Sequence, residues 1–287
     1  MQGTGSRELP RTMMLIPLFA LTGLAYAVAS GLYVAFLTRG SERAAAWAAR
    51  TLVLAVLAHL GFLAAHVAFL ADRYTNGRPP PVDIHQALAL ISLVMILVYL
   101  VTARLRPRLR VLGAFLTPVT LLFFLGAAFR GSVGPVPEPV RSVMLPIHVG
   151  VNSFGLAAFG LAFAAAIAYL IQERQLRRKE LGGMFQRLPS LNVLDALGLR
   201  AVLTGFPLLT LGIVTGTLWA VRLSPSAPVI SPTQAFACLA WVLFGAVLLL
   251  RVAAGWRGRK AAIGTMLGFL CTIAVLVGYV ARGGGHG

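Results

Sequence analysis

Five histidines are the residues of this chain best equipped for chemistry: His59, His66, His85, His148 and His286. A neutral imidazole ligates metals readily and is the common axial ligand of haem iron. A haem held by two histidines needs them on opposing elements, facing each other across a flat gap. His59 and His66 are two helical turns apart, so on one helix they share a face at a separation of about 10 Å. One straight helix cannot place both on opposite sides of one iron. His148 begins an apolar run just after Pro146, and His286 is the penultimate residue, within Gly283-Gly284-Gly285-His286-Gly287. These two are the metal-ligand candidates. The bland alternative is that His148 hydrogen-bonds at a helix end and His286 belongs to a tail. His59 and His66 are cofactor-binding candidates, because an ionisable residue inside a membrane span marks function by default. A structural hydrogen bond between helices is the alternative for each.

Other chemistry is sparse. There is no HExxH, no phosphate loop and no nucleophile-plus-base set, and no span contains a carboxylate pair. The acids lie in tails, in loops or near helix ends, which argues against a hydrolase and against a pump built on buried carboxylates. Cys238 and Cys271 both fall inside apolar runs, without the spacing of a metal or thiol–disulfide site, and are expected to be small core residues.

The elements that must position these groups are membrane helices. Hydrophobic residues make up 58% of the 287 and charged residues 11%; mean hydropathy is +0.84. A run of about 20 apolar residues crosses a bilayer, and in lipid only a helix or a closed barrel satisfies its own backbone. Apolar runs near 12–37, 51–72, 84–103, 111–129, 146–172, 201–221, 234–254 and 261–281 predict about eight spans. The expected fold is an all-α polytopic bundle, one membrane domain over 1–287. The first run extends past Ala25-Tyr26-Ala27-Val28-Ala29, a sequence resembling a cleavage site, and is read as a retained helix.

The net charge is +17, from 25 Lys and Arg against 8 Asp and Glu. Seventeen of those basic residues lie in alternate loops, among them Arg104, Arg106, Arg108, Arg110, Arg174, Arg177 and Arg178. That bias is the positive-inside signature and places both termini on the outer side. Lipid headgroups are a sufficient partner for the charge, so no nucleic-acid partner is expected. The outward loops 73–83, 130–145 and 222–233 are rich in proline, which stiffens them. The inward loop 173–200 predicts a short interfacial helix, with Ser190 as N-cap, Leu191, Leu194 and Leu197 as its apolar stripe, and Gly198 as its stop.

Several stretches occur together in family order. They are Leu145-Pro146-Ile147-His148-Val149 with Asn152, Tyr169-Leu170-Ile171-Gln172-Glu173, and Arg187-Leu188-Pro189-Ser190-Leu191 with Leu194-Asp195. Gly205-Phe206-Pro207-Leu208-Leu209 follows, through Gly216 and Trp219-Ala220, and then Gly255-Trp256-Arg257-Gly258-Arg259-Lys260 with Gly268-Phe269. Over 145–287 the chain resembles the CcsA/HemX-type cytochrome c assembly proteins. The resemblance implies a multi-pass protein of the cell inner membrane that handles or exports haem b to the outer face, for attachment to apocytochrome c. It implies work beside a second assembly protein with a large outer domain, as a haem-handling subunit of a haem lyase rather than a stand-alone enzyme. Residue by residue, His148 falls on the first outer histidine ligand and His286 on the second, with Trp219 among the haem-contacting residues. The tryptophan-rich element expected over about 221–236 reads VRLSPSAPVISPTQAF, and Leu249 stands where an intramembrane histidine is expected. These departures point to the alternative, a HemX-like integral protein with a regulatory or assembly role in tetrapyrrole synthesis and no catalysis. Its cytoplasmic partner would meet the basic surface 174–200.

Overall fold

A computed structural model describes residues 5–73, 84–127, 144–223 and 232–283, with side chains over 15–68, 86–127, 147–218 and 234–278. The described residues form nine α-helices and one 3-10 turn: α1 (Gly5–Arg39), α2 (Glu42–Arg73), α3 (Ile84–Leu105), the turn Pro107–Leu112, α4 (Gly113–Gly126), α5 (Met144–Arg177), α6 (Gly183–Arg187), α7 (Leu191–Leu223), α8 (Pro232–Ala253) and α9 (Arg259–Gly283). Eight helical segments are long and apolar enough to cross a membrane. The chain is therefore a multi-pass membrane protein. Even numbers of passes bring the start of α1 and the end of α9 to one end of the bundle, and the arginine-rich connections to the other.

Several helices run past their expected bounds, the two largest differences for one reason. α2 starts at Glu42 rather than near 51, and α7 starts at Leu191 rather than near 201. Each gains turns containing charge, which a hydropathy window excludes but a helix accommodates at headgroup depth. α7 has 33 residues, about 50 Å, against a hydrocarbon core of about 30 Å. The predicted interfacial helix is thus the first part of α7, and Gly198 does not stop it. Ser190 does directly precede the helix, and Leu194, 1% exposed, packs into the bundle rather than onto a headgroup layer. Cys238, expected in the core, is exposed; toward lipid an apolar surface residue carries no hydration cost.

Polar ties close the arginine-rich end. α1 ends at Gly40, where φ is +73°, and the Gly40 N–H donates to Phe36 O at 2.9 Å. Arg187 Nη1 donates to the next two carbonyls, Leu37 O at 2.6 Å and Thr38 O at 2.9 Å. A cation thus satisfies carbonyls that the helix end leaves unpaired. Arg251, its side chain 9% exposed, pairs with Asp195 at the start of α7, and Asp195 Oδ1 accepts from the Gly258 N–H at 3.1 Å. Gly258 has φ +68°, and a Cβ there would strike the Tyr169 hydroxyl. One carboxylate therefore joins α7, the end of α8 and the α8–α9 connection, with α5 alongside.

α5 lies at the centre, against α3 on one side and against α7 and α9 on others, and its most extensive contact is with α7. Small residues allow that closeness. A Cβ on Gly205 would meet the Phe159 ring at 2.7 Å, and one on Gly155 would meet Leu208 Cβ at 3.2 Å. A Cβ on Gly212 would overlap Asn152 Oδ1. Asn152 cannot swing freely, because its Nδ2 donates to His148 O at 2.8 Å. Phe159 in turn stacks on Phe244 of α8, centroids 3.8 Å apart. Gly212→Ala is expected to destabilise the purified protein by about 1–3 kcal/mol through overpacking. Adding Asn152→Ala should recover most of that loss in thermal unfolding, since the clash has a single partner.

Candidate functional site

His148 sits one turn into α5, half-buried against α7. Its Nδ1 lies 2.6 Å from Thr215 Oγ1. The same hydroxyl is 2.7 Å from Leu211 O and 3.1 Å from Gly212 O. A hydroxyl has one proton. With that proton given to a carbonyl of its own helix, Thr215 would accept from His148 with the imidazole proton on Nδ1; in the other tautomer the hydroxyl donates to Nδ1 instead. In the first arrangement Nε2 carries the ring lone pair, the form in which imidazole binds a metal. Gly216 lies beside the ring, where a Cβ would stand 3.5 Å from His148 Cε1. Asn152, one turn on, holds the His148 carbonyl. The packing that brings α5 and α7 together therefore also fixes the orientation of this histidine.

His59 occupies a different environment. It is fully buried on α2, and its Nδ1 lies 3.0 Å from the Tyr26 hydroxyl of α1. Rings enclose it: Phe124 at 4.7 Å and Phe62 at 6.4 Å between centroids, with Phe19 stacked on Phe124 at 4.6 Å. Its Nε2 has no hydrogen-bond partner among the described residues. His66 also meets the Phe62 ring, at 6.0 Å, so His59 and His66 do share the face that their spacing predicts. The interhelical hydrogen bond anticipated as the structural alternative is present at His59. His148 lies toward the bundle end that carries the termini and His59 near the middle of α2, on different helix pairs, α5–α7 and α1–α2. Trp219 lies within α7, with its side chain outside the described ones; His85 is likewise placed only as a position in α3. His286 lies outside the described residues.

Among the described residues no three His, Cys, Asp or Glu side chains come together as a metal cluster. A porphyrin brings four nitrogen ligands of its own, so a haem iron asks the protein for only one or two. Leu249 is 67% exposed on the outer surface of α8, so any residue at that position faces away from both histidine environments. Sequence reasoning missed Thr215, Tyr26 and Phe124 as partners. Thr215 had a usable signal: it lies one residue before Gly216, on a helix whose glycines already pointed to a close neighbour.

A family model described as Cytochrome C assembly protein matches residues 82–281. That match begins upstream of the stretch that carries the motifs quoted above. The Cytochrome c biogenesis protein CcsA of Parasynechococcus marenigrum (strain WH8102) is 26% identical over 256 residues, covering 80% of this chain and 84% of that protein. CcsA of Chlamydomonas reinhardtii is 31% identical over 166 residues, 56% of this chain and 46% of that one. The solved structure of the Cytochrome c Heme Lyase CcmF superposes with a TM-score of 0.60 at 17% identity, covering 98% of this chain. That likeness shows a shared fold, and this chain spans 52% of the CcmF length. The regulatory alternative tied to tetrapyrrole synthesis has no support in these matches. With most of its length matched by the family model and with the helical architecture to go with it, the chain belongs to the cytochrome c assembly protein family.

Proposed function

We propose that this chain is a CcsA-type cytochrome c biogenesis protein of the cell inner membrane, presenting haem b at the outer face for attachment to apocytochrome c. The observation that carries the reading is the Thr215–His148 hydrogen bond, because it prepares a half-buried imidazole as a metal ligand at the bundle end opposite the arginine-rich connections. The positive-inside bias makes that end the outer one. His148 fits a haem iron by its donor chemistry, and Gly216 leaves a side-chain-free surface beside the ring. His148 and His286 would hold the iron, with Trp219 and loop 222–233 contacting the macrocycle. His59, fully buried and bonded to Tyr26, serves the packing of α1 on α2 rather than the haem site.

Bound haem supplies the vinyl groups to which apocytochrome thiols add. The protein's own task is to bind, orient and shield. Thr215 holds the imidazole plane, Asn152 anchors the backbone behind it, and the α5–α7 contact keeps water away from the Nδ1 side. A second membrane protein with a large outer domain is the expected partner for receiving the apocytochrome. The relatives' printed names support this assignment, as does the family membership; the named ligands are this chain's own residues.

His148→Ala is expected to abolish most outer-face cytochrome c maturation while leaving membrane protein level unchanged, as read by haem staining of cytochromes beside an immunoblot. A parallel fall in abundance would make the residue structural. Thr215→Val removes the hydroxyl that orients the imidazole and should lower haem retention by tenfold or so, the usual cost of losing a ligand's supporting hydrogen bond. Thr215→Ser should restore it, because only the hydroxyl is used.

A further inference from the structure

A cleft of about 450 Å³ opens between α5 and α9 at the arginine-rich end. Its wall has two storeys. Arg174 on α5 and Arg259 on α9 form the upper one. Leu170 and Ile263 form the lower one, each four residues away on its own helix and one turn deeper into the bundle. Because the two helices run in opposite directions, the arginines lie level with each other and so do the aliphatics. The cleft stands at the edge of the hydrocarbon: Arg177 ends the fifth span and Arg259 begins the eighth.

The charges in it are unbalanced. Glu173 is held by Arg177, with Oε1 2.9 Å from Nη2 and 3.2 Å from Nε. Arg178 approaches Glu180 at 3.8 Å. Arg174 and Arg259 have no carboxylate partner among the described residues. Arg259 and Lys260 also open α9, whose first turn has no acid. Cations at the positive end of a helix dipole are unfavourable, and a bound anion would relieve that.

We propose that this cleft binds an anionic phospholipid of the adjoining leaflet, its phosphate between Arg174 and Arg259 and its glycerol and first acyl carbons on Leu170 and Ile263. A soluble phosphate would use only the upper storey. The aliphatic pair beneath, at hydrocarbon depth, is what a lipid adds, and basic pockets between spans on the positive side are a recurring lipid-binding form.

The test is lipid titration of the full-length protein in a neutral detergent, following thermal unfolding. Phosphatidylglycerol should raise the unfolding temperature saturably, and phosphatidylcholine should not. In Arg174→Gln/Arg259→Gln the half-saturating phosphatidylglycerol concentration should rise about tenfold or more. Arg106→Gln/Arg108→Gln, with the same charge loss at exposed positions on the same side, should stay near wild type. Arg174→Lys/Arg259→Lys should retain most of the effect and controls for folding. Native mass spectrometry of the wild-type protein from membranes should show a retained anionic phospholipid. Equal loss in both glutamine variants would reduce the cleft to generic surface charge and overturn the proposal. So would an equal response to phosphatidylcholine, or stabilisation by inorganic phosphate alone at the same concentrations.

Discussion

The close approach of α5 to α7 is the constraint on which the rest of the structure depends. Within lipid no hydrophobic force drives one apolar helix against another, so contact must come from packing and from hydrogen bonds that close distances permit. Gly205 and Gly212 on α7 and Gly155 on α5 remove the side chains that would hold the backbones apart. Their spaces are filled by Phe159, Asn152 and Leu208, so the helices interlock rather than merely touch. The interlock fixes rotation as well as distance. That is why Thr215, near the far end of α7, meets His148 near the start of α5 at 2.6 Å.

The two ends of the bundle use polar groups differently. At the arginine-rich end they close the structure: Arg187 completes the end of α1, and Asp195 binds both Arg251 and the Gly258 N–H. Away from that end two histidines are each tied across a helix pair. His148 Nδ1 is bonded to Thr215 and His59 Nδ1 to Tyr26, while His59 Nε2 finds no partner among the described residues. A leftover buried nitrogen costs stability unless something repays it.

Much of this was legible in the chain. Eight apolar runs gave the spans, the asymmetry of arginine gave a preferred orientation, and His148 stood out by its place at a helix start. What hydropathy could not supply was register between helices. The start of α7 was misplaced because Asp195 and Arg200 break an apolar window without breaking a helix. The glycines beside Thr215 signalled a close neighbour, but which residue it meets is set only when two glycine-faced helices pack in one rotation. Tyr26 and His59 are 33 positions apart, and nothing local links them. The role of Leu249 needed the structure too: it faces lipid, so the missing histidine there leaves the two interior environments as they are.

The most direct measurement is an absorption spectrum of the detergent-purified protein, oxidised and reduced, beside His148→Ala/His286→Ala. The account predicts a Soret band with sharp reduced bands in the wild type, lost in the variant while the variant remains monodisperse. A wild-type preparation that stays colourless after haem is added, or a spectrum unchanged in the variant, would contradict it.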